Sequence, residues 1–129
     1  MVKMPADVKE AIEKQSPMPI ATAALSGKPN VIFIGLKKII DDETILIADN
    51  FFNKTRKNLE ENPQMSMVVY NKDAKKSFQI KGSVDIKTEG KQYDEMVEWV
   101  HSTMVTLPAK AAVIFHVEEI YDSMYGPNA

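Results

Sequence analysis

The stretch from Pro29 to Tyr70 constrains this chain most, because it sets three apolar extended runs around one short, very polar segment. Asn30 to Ile40 is long and β-branched, and Val31-Ile32-Phe33-Ile34 is apolar on both faces, so one face must meet something other than water. Gly35 interrupts the side-chain row and leaves room for a second backbone or a flat ligand. Asp41-Asp42-Glu43 turns the chain into a hairpin with the strand Thr44–Ala48. Asn53 then reads as an N-cap and Asn62-Pro63 as a stop, which predicts about two turns of helix between them. Gln64 to Tyr70 predicts the next strand.

The helix carries its charges in the unfavourable order. A helix start bears partial positive charge, yet Lys54, Arg56 and Lys57 crowd the first turn while Glu60 and Glu61 come last. Each misplaced charge costs about 0.3 kcal/mol or more, and an anion docked on the free N–H groups reverses that sign. The strand Thr44–Ala48 delivers this helix start to the end of a sheet, where a phosphate is the expected occupant. A solvated basic face on a surface helix explains the same order, and charge order alone leaves both readings open. On either reading, Lys54 and Thr55 are expected to matter little for folding.

Elsewhere the pattern is plainer. Val8, Ala11 and Ile12 recur at helical spacing after Pro5, and Ser16-Pro17-Met18-Pro19 ends that helix. Ile20 to Leu25 predicts a strand, closed by the turn Ser26-Gly27-Lys28-Pro29. Ser77 to Lys87 alternates, with Phe78, Ile80, Gly82, Val84 and Ile86 on one face. Tyr93, Met96, Val97, Val100 and Met104 form a stripe on a helix spanning Gly90 to Met104, and Trp99 falls off it, at the edge or against a partner. Lys110 to Tyr121 predicts the last strand, and Tyr121, Met124 and Tyr125 suit core, tail packing or one wall of a flat-ligand pocket. The expected architecture is mainly β (α+β): a six-stranded antiparallel β-barrel, closed or split, with flanking helices, in one domain over residues 1–129.

Composition excludes several functions. A formal net charge of −2 and no basic stripe argue against nucleic acid as a partner. The chain has no cysteine, which removes disulfides, thiolate metal sites and a cysteine nucleophile, and fits a cytoplasmic protein. No run reaches membrane-spanning length, so no membrane association is expected. Two histidines cannot build a histidine metal cage; His101 and His116 read as structural residues. No Walker motif or Gly-x-Gly-x-x-Gly is present.

The order P-x-V-I-F-I-G, then ILIAD, then N-x-x-x-K-T-x-x-N-L-x-x-N-P and an apolar strand, resembles the pyridoxamine 5′-phosphate oxidase-like FMN-binding split barrels. It is most similar to the short, stand-alone FMN-binding proteins of that superfamily, over nearly the whole chain. The resemblance implies a homodimer that holds non-covalent FMN at its interface and transfers electrons or reduces a small acceptor. It implies Lys54 and Thr55 as phosphate ligands, with Asn53 capping nearby. It further implies that Phe33, Ile34, Gly35 and Leu36 run along the isoalloxazine edge, and that Ala48, Asp49 and Asn50 border the ribityl chain or ring. Where the true oxidases open the first flavin-contacting strand with an arginine, this chain has Asn30, and the basic residues that hold the substrate phosphate have no counterpart. Flavin binding is therefore implied rather than pyridoxamine phosphate oxidation. A deazaflavin-dependent reductase and a cofactor-free or haem-handling dimer are the alternatives on the same barrel.

Overall fold

The computed structural model describes residues 2–122. Along the chain run α1 (Ala6–Lys14), β1 (Met18–Ala23), β2 (Pro29–Ile34), β3 (Lys37–Asp41), β4 (Thr44–Asp49), α2 (Lys54–Glu61), β5 (Gln64–Asn71), β6 (Lys76–Lys87), α3 (Lys91–Thr103) and β7 (Ala111–Asp122). The strands form one antiparallel sheet, ordered β2-β1-β5-β6-β7-β4-β3, which curls into a half-barrel flanked by the three helices. Among the described residues seven strands replace the expected six, because the apolar run Asn30 to Ile40 is two strands rather than one. β2 pairs only with β1 and β3 only with β4, so Gly35 and Leu36 carry the chain from one sheet edge to the other. This crossover is the split in the barrel. It is tied down where the Ala48 N–H donates to the Leu36 carbonyl at 3.1 Å.

Burial explains the composition of each strand. β4 is buried on both faces, which is why Thr44 to Ala48 reads as a continuous apolar run. Ile45 and Ile47 face the barrel interior with Ile12, Met18, Ile20, Val69, Ile80 and Phe115. Leu46 and Ala48 face outward, beneath Met96 and Val100 of α3. On α3, Tyr93 and Val97 also pack there, but Met104 lies past the helix and is 53% exposed, so the stripe ends at Val100. Trp99 lies at the edge of this second core, with Lys38 Nζ 5.8 Å from its ring centroid. β6 alternates as its sequence predicts, and the register shift at Lys81/Gly82 leaves the extra residue, Glu118, on β7. Tyr121 donates its hydroxyl to Glu119 under Lys81, rather than entering the core, while Met124 and Tyr125 lie outside the described residues. Among the described residues no helix is long and apolar enough to cross a membrane.

Candidate functional site

The barrel split opens a cleft of about 460 Å³. Its walls come from β2 and the crossover (Ile32, Phe33, Ile34, Gly35, Leu36), from the end of β4 and the loop beyond it (Ala48, Asn50, Phe51, Phe52), and from Leu107. A second groove of about 330 Å³ lies over Ala21, Asn62, Lys81, Glu118 and Glu119, but it is smaller and carries charged and amide groups that the first lacks or nearly lacks. The first has the apolar walls and scarce polar groups of a small-molecule site. Gly35 is exposed there, and a methyl group added at its Cα would meet no atom within 4 Å. The gap in the side-chain row is thus open space, with no second backbone against it. Because β2 is an edge strand, one row of its backbone N–H and C=O groups is left unpaired by the sheet.

The loop from β4 to α2 is held from beneath. Asp49 is fully buried; its carboxylate accepts the Phe52 N–H at 3.0 Å and pairs with Arg56 at 2.8 Å. Lys110 donates Nζ to the Phe52 carbonyl at 3.0 Å, and the Asn50 side-chain oxygen accepts the Ala109 N–H at 2.9 Å. Ala109 is held at φ 46, a left-handed conformation that costs a non-glycine residue about 1 kcal/mol or more. These bonds fix the loop that contributes Phe51 and Phe52 to the cleft and tie it to the α3–β7 connection that contributes Leu107.

Asn53 occupies the N-cap position of α2, but its side chain makes no capping hydrogen bond. The expected cap is therefore missing, and the N–H groups of the first turn have no side-chain acceptor from Asn53. Of the three cations crowding this turn, Arg56 is committed to Asp49, and its Nε also lies 3.3 Å from Glu60. Lys54 and Lys57 are exposed, and neither forms an ion pair among the described residues. Thr55 is only 2% exposed, and its hydroxyl oxygen accepts a hydrogen bond from Asn30 Nδ2 at 3.0 Å.

Of the residues singled out from sequence, Phe33, Ile34, Gly35, Leu36, Ala48 and Asn50 share the cleft. Asn53, Lys54 and Thr55 stand just beyond its Phe52 wall, at the start of α2, and Asp49 lies buried behind the wall with its carboxylate turned to Arg56. Sequence reasoning missed Ile32, Phe51, Phe52 and Leu107 as lining residues. Phe51-Phe52 was legible as an aromatic pair between a strand and a helix cap; Leu107 carried no signal, since it is brought to the cleft by the connection after α3. The histidines stand elsewhere: His101 contacts the Leu107 carbonyl at 2.9 Å, and His116 pairs with Asp85 at 2.8 Å.

A curled antiparallel sheet whose split opens beside an uncapped helix start defines a half-barrel with a mostly apolar cleft. The family model described as pyridoxamine 5′-phosphate oxidase matches residues 4–124, and the chain belongs to that family. An uncharacterized protein of Methanocaldococcus jannaschii is 37% identical over 133 residues, spanning 100% of this chain and 87% of the relative. Among solved structures, HupZ of Group A Streptococcus superposes with a TM-score of 0.82 at 26% identity, over 100% of this chain and 99% of that one. An FMN-binding protein from Syntrophomonas wolfei superposes with a TM-score of 0.76 at 20% identity, over 88% and 80%. The fold recurs in an F420 reductase and in the heme storage protein HutZ of Vibrio cholerae, with TM-scores of 0.68 and 0.63.

Proposed function

We propose that the chain is a homodimeric FMN-binding protein that transfers electrons to, or reduces, a small acceptor. The observation that carries this reading is the continuity of two unlike surfaces: an apolar cleft of about 460 Å³ ends at Phe52, two residues before the uncapped start of α2. A flat ring with a phosphate tail needs that pairing. The isoalloxazine would lie along Phe33 to Leu36, with Ala48 and Asn50 beside the ring or ribityl chain. The phosphate would meet the free N–H groups of α2 and the Lys54 ammonium. Thr55 would contribute chiefly its backbone N–H, because its side chain faces Asn30. The named FMN-binding relative of the same fold supports the reading.

FMN supplies the redox chemistry when bound. The chain's own residues bind, orient and exclude water. None of the ten residues lining the cleft has a titratable side chain, and the oxygen of Asn50 is already committed to Ala109. Among the described residues the walls therefore hold no proton to give or take, which suits electron or hydride transfer better than acid–base catalysis.

The homodimer rests on the outer face of β2, β1 and β5. Val31 is 66% and Phe33 71% exposed, and Val68 and Tyr70 of β5 are also exposed on that side. A symmetric partner is the usual cover for such a face, and it would close the cleft at Phe33. A deazaflavin is the second reading, supported by the F420 reductase of the same fold. Haem is disfavoured, since no His, Met, Cys or Tyr among the described residues lines the cleft. Purified protein should be yellow, and flavin released from it should absorb in two bands, in the near-ultraviolet and the blue. A single dominant band would instead identify a deazaflavin, and colourless protein that ignores added FMN would overturn the proposal.

A further inference from the structure

We propose that Asn30 is a positioning residue for the phosphate anchor, acting through Thr55 rather than touching the ligand; this rests on the FMN reading above. Two reciprocal hydrogen bonds dock α2 on the β1–β2 hairpin. Asn30 Nδ2 donates to Thr55 Oγ1, and Asn58 Nδ2 donates to Thr22 Oγ1, each at 3.0 Å. Thr22 and Asn30 are cross-strand partners, so residues i and i+3 of the helix are fastened to one strand pair. Asn62 adds a third bond, from Nδ2 to the Ala23 carbonyl at 3.2 Å.

Beyond these bonds, the Arg56–Asp49 pair ties the first turn to the loop after β4 rather than to the hairpin. The buried residues of α2 are Thr55, Asn58 and Leu59, so a single large apolar side chain secures it. Directional amide bonds therefore set where α2 lies on the hairpin, and such bonds weaken steeply when misaligned. The three bonds divide by position. Asn58 and Asn62 hold the second half of the helix, whereas Asn30 alone holds Thr55, the second helical residue. Thr55 carries one of the orphan N–H groups and sits between Lys54 and Arg56. With no Asn53 cap, and with Arg56 holding the first turn to the β4 loop, the Asn30 bond is the contact that orients the first-turn donors relative to the hairpin. The polar residue standing where the oxidases have an arginine is thereby given a role by geometry: it aims the helix start instead of contributing charge.

The test compares FMN with riboflavin, which lacks the phosphate, by fluorescence titration of the whole protein, with melting temperatures taken alongside. Asn30→Ala is expected to weaken FMN about five- to tenfold while leaving riboflavin affinity unchanged, in keeping with about 1 kcal/mol for one hydrogen bond. Asn58→Ala should lower the melting temperature yet keep the wild-type ratio of FMN to riboflavin affinity. Thr55→Ser retains the hydroxyl and should also keep that ratio. In the Thr55→Val background, Asn30→Ala should cause no further loss of phosphate selectivity. Asn30→Ser withdraws the same donor and gives the same readout should the alanine variant fail to fold. Equal weakening of FMN and riboflavin, or losses that add in the double variant, would overturn the proposal. Wild-type protein that binds neither flavin would overturn it together with the reading beneath it.

Discussion

Lys54 and Lys57 are both exposed on the first turn and a half of α2, yet only Lys54 sits at the very start, beside the uncapped N–H groups. A charge-assisted hydrogen bond to a phosphate is worth about 1.5–3 kcal/mol, so Lys54→Ala should weaken FMN binding roughly ten- to a hundredfold. Lys57→Ala, measured in the same titration at fixed salt, should lose far less; equal losses would mean the helix offers only diffuse positive charge. Neither lysine should matter for stability. Thr55 differs from its sequence-based expectation in this respect. Its buried hydroxyl holds Asn30, so Thr55→Val leaves an amide donor unsatisfied and should cost about 1–3 kcal/mol in urea unfolding. The misplaced charges of α2 were legible in the sequence; that Arg56 serves a buried Asp49, seven residues back, was not, since only the fold brings that loop under the helix.

Among the elements, the crossover and the β6–β7 register shift give opposite roles to two glycines. A Cβ at Gly82 would lie 1.9 Å from the His116 carbonyl oxygen, so Gly82→Ala must push β7 away and should destabilise by about 1–3 kcal/mol or more. Gly35→Ala meets open space and should leave the melting temperature nearly unchanged, while adding a methyl group to the cleft wall and weakening flavin binding. The reverse pattern would mean that the cleft is not where the ring binds. The sequence marked Gly35 as a break in a side-chain row and set Gly82 on one face of an alternating strand, but could not say which gap was filled. Nor did it divide the run from Asn30 to Ile40, because Ile32, Ile34 and Ile39 all turn toward the barrel core, and periodicity within a strand does not reveal that the sheet has changed edges. β6 and α3 were legible because burial there follows the local period, and β4 because burial on both faces reads as a continuous apolar run.

The β3–β4 hairpin adds a pH dependence. The Thr44 hydroxyl and the Glu43 N–H, donated to Asp41 at 2.5 and 2.8 Å, hold its carboxyl below the usual carboxylate range. A folded pKa below the unfolded one stabilises the protein above the unfolded value and is lost as pH falls through the folded value. Asp41→Ala should therefore lower the melting temperature at pH 7, with the gap to wild type closing below about pH 4. A gap unchanged across that range would assign the effect to the turn's backbone rather than to its charge.

At the scale of the whole molecule, the outer face around Val31, Phe33, Val68 and Tyr70 and the cleft at Gly35 meet at Phe33, so flavin binding and association should be linked. Light scattering should give a dimer, and a charge placed there, as Val31→Lys, should weaken both dimer and flavin affinity. A monomer that still holds flavin would break that link. The most direct measurement is a calorimetric titration of FMN and of riboflavin into the flavin-free protein at one salt concentration. A phosphate held at the start of α2 predicts one FMN per chain, bound at least tenfold more tightly than riboflavin, with FMN raising the melting temperature the more of the two. Equal affinities for the two flavins, or FMN binding that does not saturate, would contradict a site built from the cleft and the helix start together.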